Sequence, residues 1–431
     1  MIAASLGFFA SLALIFFRMP IAIAMSITGF VGFGLLLGWN QSTIMLALTV
    51  RDSAMSYSMA VIPLFILMGN FIAGTGVSRE LYHSAQLFLG GRRGGLANAT
   101  ILSCAGFGMV CGSTVATVLT MGKVSLPSMR EYGYSDQLST ATIAVGATLG
   151  VIVPPSVLLV IYGILTETHI GKLYAAALIP AGLAVITYML VVGWVVWRNP
   201  SAAPEATKST LSEKLQSLVA IWPVLVLFVL VLGGIYTGFF TATEAAGVGA
   251  FGAFLLALVR HQLTWESLYK ILLDSAESTA VIFALLIGGL IFTEFLNYSG
   301  AHTGLVALIE SSGMAPVAVM FLICAIYFVL GALMDELSMV MLTVPLFLPI
   351  VLALGYDPVW FGIIVITMCT FGMIVPPIGI NLFIVHSLVP EIPIMKVVKG
   401  VVPFIGFDLV RLVFLILFPA LSLWLPGIFF D

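Results

Sequence analysis

The stretch "TLGVIVPP", Thr148–Pro155, returns later in the chain as "TFGMIVPP", Thr370–Pro377. In both copies an apolar run ends in two consecutive prolines. Proline has no backbone N–H donor and its ring clashes with the preceding helical turn, so two in succession unwind a helix and free several carbonyl groups. The repeated motif therefore predicts two broken helices, one in each half of the chain.

The composition of the chain sets its class. Of the 431 residues, 61% are hydrophobic and only 8% are charged, whereas soluble domains carry about 25% charged residues. Apolar stretches long enough to cross a bilayer recur, for example Tyr174–Trp197, Val219–Ile235 and Val401–Trp424. We expect an all-α polytopic membrane protein embedded in the lipid bilayer. No basic stretch suits nucleic acid, so no nucleic-acid partner is expected.

The N-terminal apolar run is expected to remain as a helix. Residues 1–17 lack the basic beginning and the small-residue cleavage site of a signal peptide, and Arg18 follows them directly. We therefore assign 1–58 to N-terminal scaffold helices.

The similarity between the two halves extends beyond the prolines. A constant offset of 222 positions places Leu126-Pro127 on Leu348-Pro349 and Gly133-Tyr134 on Gly355-Tyr356. Two homologous halves, roughly 55–195 and 278–425, explain these matches. The predicted organisation is a first repeat at 59–197, a cytoplasmic linker at 198–217, central scaffold helices at 218–277 and a second repeat at 278–431.

Lysine and arginine indicate how the halves are oriented, because short cytoplasmic loops collect positive charge. The loop Gly122–Gln137 carries Lys123 and Arg130, whereas its counterpart Val344–Val359 carries neither. If the basic clusters lie on the cytoplasmic side, every predicted span can cross the membrane in turn, and the N-terminus lies on the outer side. The two halves then have opposite topology. Inverted repeats of this kind are typical of secondary transporters. The other clusters contain Arg79, Arg92, Arg93, Arg198, Lys208, Lys214, Arg260, Lys270, Lys396 and Lys399.

Each repeat also contains a segment that is expected to enter the membrane without crossing it. The apolar run Pro316–Leu330 spans about 22 Å as a helix, which is shorter than the hydrocarbon core. The polar tip "GALMDELS", Gly331–Ser338, and a second apolar limb follow it. We predict re-entrant hairpins at about 96–121 and 316–349, the first with its tip at Gly106–Thr114. The alternative is one long buried helix in place of each hairpin.

Oxygen ligands gather around the predicted breaks. Freed carbonyl groups at a broken helix are suitable ligands for sodium, and hydroxyl groups stand near them in both halves. A hairpin tip facing a broken helix, twice, predicts two similar sodium sites. The alternative is a plain proline kink whose neighbouring hydroxyls bond to carbonyls of the preceding turn. The hydroxyls are those of Ser113, Thr114, Thr148, Ser338, Thr367 and Thr370.

The same elements favour an anionic substrate. Helix N-termini at the tips and at the breaks attract anions, yet apart from Arg411 the spans offer almost no basic side chain to compensate a buried carboxylate. Bound sodium ions supply that positive charge, which couples the two fluxes. We therefore predict sodium-coupled uptake of a small organic acid, with two or more sodium sites.

Two long segments resemble the large membrane subunit of tripartite ATP-independent periplasmic (TRAP) transporters. They are "CGSTVATVLTMGKVSLPSMREYGYSDQLSTATIAVGATLGVIVPPS", Cys111–Ser156, and "FGMIVPPIGIN", Phe371–Asn381. The resemblance implies an elevator mechanism in a bacterial or archaeal cytoplasmic membrane. It also implies two partners, a small membrane subunit and a periplasmic binding protein that delivers a carboxylate-bearing substrate.

The resemblance also implies site residues at the matching positions. Cys111 stands where many relatives have glycine, a small-for-small change that leaves backbone ligands in place. One sodium is expected at Ser103, Ser113, Gly150, Val153 and Pro155, and the other at Gly331, Thr367, Thr370 and Met373; substrate contacts are expected from Thr114, Ser156, Ser338 and Asn381.

Other polar residues of the spans have structural interpretations. Asp335 and Glu336 are expected to cap the second limb of hairpin 2 rather than to contact the substrate, and proximity to sodium is the alternative. Asp408 and Arg411, at i and i+3, are expected to pair on one helix face. Substrate contact by Arg411 is the alternative for that residue. Asn381 either donates to a substrate carboxylate or ties down the unwound backbone.

The sequence also bears on three other function classes. A stand-alone sodium/dicarboxylate symporter has the same plan but needs no binding protein. A channel predicts flux without saturation. The sequence shows no Ser-His-Asp grouping, no histidine-rich metal pattern and no phosphate-binding glycine loop, so an enzyme is not expected.

Overall fold

The chain folds into a bundle of α-helices. The computed structural model describes residues 2–205 and 209–430, so Lys208 and the centre of the predicted linker lie outside it. The described residues form twenty helices. They are α1 (Ile2–Phe16), α2 (Ile21–Leu37), α3 (Trp39–Met55), α4 (Val61–Ala73), α5 (Val77–Leu89), α6 (Gly95–Cys111), α7 (Thr114–Glu131), α8 (Asp136–Ile152), α9 (Val157–Leu165), α10 (Ile170–Arg198), α11 (Leu211–Tyr236), α12 (Ala242–Val259), α13 (Trp265–Tyr298), α14 (Ala301–Ser312), α15 (Pro316–Gly331), α16 (Glu336–Ala353), α17 (Pro358–Gly372), α18 (Ile380–Leu388), α19 (Ile394–Leu417) and α20 (Ala420–Phe430).

The lengths and composition of the helices are those of a multi-pass membrane protein. Six described helices are long and apolar enough to cross a bilayer, and two bent pairs raise the number to eight. The bends are 56° between α3 and α4 and 42° between α8 and α9. The second bend lies at the first Pro-Pro motif, as the sequence predicts.

Two helix pairs pack closely along each other. The helix α13 packs along α2, and α12 packs along α4. Small residues allow this close approach: a Cβ on Gly288 of α13 would lie 2.4 Å from the carbonyl oxygen of Ala22, and one on Gly29 would lie 2.8 Å from the backbone of Ile291. Such backbone contacts are a common basis of helix association in membranes.

The order of elements repeats along the chain. Each repeat contains a helix preceded by a left-handed glycine, α5 after Gly76 and α14 after Gly300. A hairpin follows, formed by α6 and α7 or by α15 and α16, and then a broken helix, formed by α8 and α9 or by α17 and α18. Both halves therefore carry the predicted hairpin and the predicted break.

The hairpin limbs are longer than the sequence predicts. The helix α6 continues to Cys111, so the predicted tip Gly106–Thr114 shrinks to Gly112 and Ser113, and the second limb runs to Glu131 rather than Met121. In the second hairpin the tip is residues 332–335, and α16 ends at Ala353 rather than at Pro349. Packing explains the extension of α6, because Gly108 lies against the backbone of α8 and this contact offsets its low helix propensity.

Candidate cation and substrate site

The first hairpin tip is a tight turn followed by a capped helix. Gly112 adopts φ +59°, a conformation that glycine tolerates best. Ser113 caps α7, since its Oγ accepts a hydrogen bond from the Ala116 amide at 3.4 Å. The Ser113 carbonyl accepts a hydrogen bond from the Thr117 hydroxyl at 2.7 Å. The positive end of the α7 dipole therefore lies at this tip.

The first broken helix meets this tip. A Cβ on Gly150 would lie 3.3 Å from Thr117 Oγ1 and 3.7 Å from the Ser113 carbonyl oxygen, and one on Gly112 would lie 3.9 Å from the Pro155 carbonyl oxygen. The structure thus brings three of the five residues predicted for the first sodium, Ser113, Gly150 and Pro155, to one place. Thr117, which was not predicted, joins them. The sequence signal that could have indicated Thr117 is its position one turn after Ser113, on the same helix face.

The remaining two residues of that set lie elsewhere on the same elements. The Ser103 hydroxyl, two turns before the tip, donates a hydrogen bond to the Ala99 carbonyl at 2.6 Å. Ser103 and Val153 both line an apolar cavity of about 470 Å³ between α5, α6, α10 and α11. Neither side chain lines the cavity at the hairpin tips described below.

The second half repeats the approach of hairpin and broken helix. A Cβ on Gly372 would lie 2.7 Å from the Gly331 carbonyl oxygen, so the end of α15 touches the end of α17. The Thr370 hydroxyl donates a hydrogen bond to the Thr367 carbonyl at 2.6 Å. The Met373 carbonyl accepts a hydrogen bond from the backbone N–H of Asn381 at 3.1 Å. All four residues predicted for the second sodium thus lie at the end of α17 and the hairpin end that touches it.

The hydroxyl groups divide into two kinds. Those of Thr148 and Thr370 donate to carbonyls one turn earlier, Val145 at 2.7 Å and Thr367 at 2.6 Å, which is the alternative that the sequence left open. The Thr367 hydroxyl oxygen is different: it is buried and has no hydrogen-bond partner among the described residues. Buried polar atoms without a partner are rare in native proteins, and this one lies within the predicted second site.

The second hairpin tip carries two carboxylates with different roles. Asp335 caps α16, since its Oδ2 accepts from the Ser338 amide at 3.2 Å and its Oδ1 accepts from the Ser338 hydroxyl. The cap predicted for Asp335 is confirmed. The same prediction for Glu336 is wrong, because Glu336 lies inside the first turn and its Oε1 instead accepts from the Thr114 hydroxyl at 3.2 Å.

The contact between Thr114 and Glu336 joins the two hairpins. These residues are 222 positions apart, the offset that relates the repeats. They therefore occupy equivalent positions, the first residues of α7 and α16. The N-terminal ends of the two second limbs meet each other at this contact.

A cavity of about 520 Å³ opens beside the meeting point of the tips. Its walls come from both hairpins and from α4 and α13, and its polar lining includes Asn70, Ser113, Thr120, Glu277 and Glu336. The four predicted substrate contacts, Thr114, Ser156, Ser338 and Asn381, are buried around the tips and the breaks rather than lining this cavity.

Two of these four residues have clear structural bonds. The Ser156 hydroxyl donates to the Val151 carbonyl at 2.5 Å across the first break. The Asn381 side chain donates to the Ala144 carbonyl of α8 at 3.0 Å, which ties the second break to the first half. Asn381 Oδ1 has no hydrogen-bond partner among the described residues.

The predicted ion pair on α19 is present. Arg411 Nε lies 2.5 Å from Asp408 Oδ1, and both side chains are buried. The Tyr188 hydroxyl of α10 donates to Asp408 Oδ2 at 3.1 Å and lies 3.4 Å from the Thr148 hydroxyl. The structural interpretation of Arg411 is therefore confirmed, and a network links the pair to the first broken helix.

A family model matches residues 8–421 and is described as "Tripartite ATP-independent periplasmic transporter, DctM component". The match covers nearly the whole chain, including both hairpins and both breaks. The chain belongs to this family. As a member it is a permease component of a three-part transporter that works with a small membrane subunit and a periplasmic binding protein, and it is not an enzyme.

Curated relatives of known name support the assignment. The chain is 33% identical to the C4-dicarboxylate TRAP transporter large permease DctM of Pseudomonas aeruginosa, over 89% of each chain. It is 30% identical to the ectoine TRAP transporter large permease TeaC of Halomonas elongata, over 97% of this chain and 98% of that one. It is 29% identical to the sialic acid TRAP transporter large permease SiaM of Vibrio cholerae, over 98% of each chain.

A solved structure confirms the fold at greater distance. The YdaH transporter of Alcanivorax borkumensis superposes with a TM-score of 0.66 at 14% sequence identity, over 89% of this chain and 90% of that one. This TRAP permease thus shares its helical architecture with a transporter of very different sequence.

Proposed function

We propose that the chain is the transporting subunit of a sodium-coupled TRAP system that takes up a small organic acid. The observation that carries the proposal is the duplicated meeting of a hairpin tip with a broken helix, which gathers backbone and hydroxyl oxygens in each half. The proposed setting is a bacterial or archaeal cytoplasmic membrane, with the N-terminus outside.

The chemistry of the oxygens supports sodium as the coupling ion. In the first half the Ser113 carbonyl and the Thr117 hydroxyl lie beside Gly150, and the Pro155 carbonyl lies beside Gly112 of the hairpin tip. In the second half the Gly331 carbonyl and the unpartnered Thr367 hydroxyl flank the end of α17. Neutral oxygens of this kind suit a hard monovalent cation at the end of an unwound helix.

The relatives support an organic acid as the substrate. Their names specify a C4-dicarboxylate, ectoine and sialic acid. The cavity beside the tips is of ordinary size for a small ligand, and Ser113, the N-cap residue of α7, lines it. A carboxylate at this helix end is stabilised by the dipole.

The division of the fold supports an elevator movement. The hairpins and broken helices pack on one another, while α2 with α13 and α4 with α12 form the scaffold. The cavity lies between these two bodies. In the proposed cycle the hairpin body slides along the scaffold and carries the sites with it.

The test is uptake into proteoliposomes that contain this chain and its small subunit. Labelled organic acids are offered with an inward sodium gradient, with and without the binding protein. Saturable uptake that needs both sodium and binding protein is expected. Sodium-driven uptake of free substrate without binding protein would instead establish the stand-alone symporter, and flux without saturation would indicate a channel.

A further inference from the structure

Glu336 has an environment unlike that of any other carboxylate described here. Its Oε1 is held by the Thr114 hydroxyl of the opposite hairpin. Its Oε2 is buried and has no hydrogen-bond partner among the described residues. The side chain lines the cavity of about 520 Å³ at the hairpin tips.

No basic side chain of the described residues compensates this carboxylate. The ion pairs in residues 2–205 and 209–430 do not include Glu336, and the cavity lining contains Glu277 as a second acid but neither lysine nor arginine. A buried carboxylate oxygen without a donor is unfavourable by several kcal/mol. A cationic group on a molecule that enters the cavity would supply the missing partner.

The part of the cavity wall next to Glu336 has the opposite preference. Gly112 and Ser113 line it at the start of α7, an 18-residue helix whose dipole favours an anion. The direct contact between Thr114 and Glu336 places the anion-favouring helix end and the carboxylate within one small molecule's length of each other.

We propose that this cavity binds a zwitterionic organic acid, with its carboxylate at the N-terminus of α7 and its cationic nitrogen on Glu336. The inference rests on the proposed function in that it defines the substrate class of the same transport site. A purely anionic dicarboxylate meets repulsion at Glu336, whereas an ammonium or amidinium group there gains a charge-assisted hydrogen bond.

The test is binding to the purified complex of this chain and its small subunit in nanodiscs, measured by calorimetry with and without sodium. The probes are 4-aminobutyrate, succinate and ectoine. The first two have similar length, but 4-aminobutyrate carries an ammonium group where succinate carries a second carboxylate. The wild type is expected to prefer a zwitterion over succinate. Glu336→Gln is expected to reduce zwitterion affinity by about 10- to 100-fold, the value of one hydrogen bond to a charged group, while succinate binding is unchanged or improved.

Two further variants keep the test decisive. Glu336→Asp retains the charge and should retain the preference, which covers the case in which Glu336→Gln does not fold. Glu294→Gln removes a half-buried carboxylate outside the cavity and should change nothing. A preference for succinate, no binding of any zwitterion, or an unchanged preference in Glu336→Gln would overturn the inference.

Comparing binding with and without sodium separates this inference from the proposed function. Sodium-dependent binding that favours succinate leaves the coupled transporter intact and removes only the zwitterion. Zwitterion binding that needs Glu336 but not sodium keeps this inference and removes the coupling.

Discussion

The two hairpin tips have matching backbones and different side chains. In each half a glycine near the end of the first limb touches a glycine near the end of the broken helix, Gly108 with Gly150 and Gly331 with Gly372. The first tip then offers Ser113 and Thr114, whereas the second offers Asp335 and Glu336. The backbone positions the sites, and the side chains make them unequal.

The two halves also differ in their side chains one helical turn beyond the hairpin tips. In the first half the hydroxyl near the glycine contact belongs to the hairpin, as Thr117, and the helix position is Val145. In the second half the hydroxyl belongs to the helix, as Thr367, and the hairpin position is Met339. At this pair of positions each half has one threonine, but from the opposite partner. Similar geometry therefore does not require the two proposed cation sites to have equal affinity.

The largest difference between the halves is the buried ion pair, so breaking it should have the largest effect. Asp408→Ala leaves Arg411 buried without its partner, and we expect it to lower the free energy of unfolding by about 3–5 kcal/mol. The measurement is denaturation of the protein in detergent micelles. The equivalent positions of the first half, Ile186 and Met189, carry no charge, and Ile186 is exposed, so Ile186→Ala should have a much smaller effect. The double change Asp408→Ala with Arg411→Met should recover most of the loss; no recovery would contradict a pairwise explanation.

The glycine of the first hairpin limb has less space in the first half than its counterpart has in the second. A Cβ on Gly108 would lie 2.3 Å from the Gly150 Cα, whereas one on Gly331 would lie 3.0 Å from the Gly372 Cα. Gly108→Ala should therefore destabilise the protein by about 1–3 kcal/mol through overpacking. Gly331→Ala should be nearly neutral, because the better helix propensity of alanine, about 1 kcal/mol, offsets a milder clash. Thermal unfolding of both variants checks the order, and equal losses would contradict the difference in packing.

The threonines test the inequality of the proposed cation sites. Thr367→Val keeps the shape of the side chain and removes the unpartnered oxygen, so the sodium concentration for half-maximal uptake should rise about tenfold, the effect of about 1.4 kcal/mol. Thr117→Val should have a smaller effect, because its hydroxyl is already bonded to the Ser113 carbonyl. Val145→Thr is the matched control, since it adds a hydroxyl at the equivalent position of the first half. An unchanged sodium dependence in Thr367→Val would exclude this residue from the site.

The smallest effect is expected at a surface ion pair that joins the two halves, with its basic residue in the first half. Arg130 Nη2 lies 2.7 Å from Glu391 Oε1, while the position equivalent to Arg130 is Leu352. The Glu391 backbone amide and then Arg130 hold the pKa of this exposed carboxyl below its usual range. A carboxyl whose pKa is lower in the folded protein than in the unfolded chain stabilises the folded protein at pH values above the ordinary glutamate pKa. That stabilisation is lost as the pH falls through the pKa of the folded state.

Glu391→Gln should therefore cause a small loss of stability at neutral pH. The difference from the wild type should disappear as the pH falls below the usual glutamate range, and added salt should also reduce it. Melting curves at neutral and acidic pH check this sign. A difference that grows on acidification would contradict it.

Much of the architecture could be predicted from the sequence because the decisive signals are local. Consecutive prolines break a helix wherever they occur, so Pro154-Pro155 and Pro376-Pro377 located both breaks. The spacing of Asp408 and Arg411 gave the ion pair for the same reason. The limits of hairpin 1 were wrong because Gly106 and Gly108 have low helix propensity, and only the packing of Gly108 on α8 explains why α6 continues past them.

The contents of the site were harder to predict because they depend on contacts between distant segments. Thr117 gains its place only when α7 meets Gly150, and Tyr188 joins Asp408 only when α10 crosses α19. Local reasoning assigned Glu336 to a cap because it follows Asp335 at a helix start. Its actual partner, Thr114, lies in the other half of the chain.

The contact between Thr114 and Glu336 also bears on the ancestry of the chain. If two identical copies of one half once assembled as a symmetric dimer, equivalent positions on the axis faced each other, and every residue there met its own copy. Two threonines tolerate such a meeting, whereas two buried glutamates repel each other. A single glutamate opposite a threonine requires two independently mutable positions. That combination is open only to halves that are encoded separately, as they are after a gene duplication.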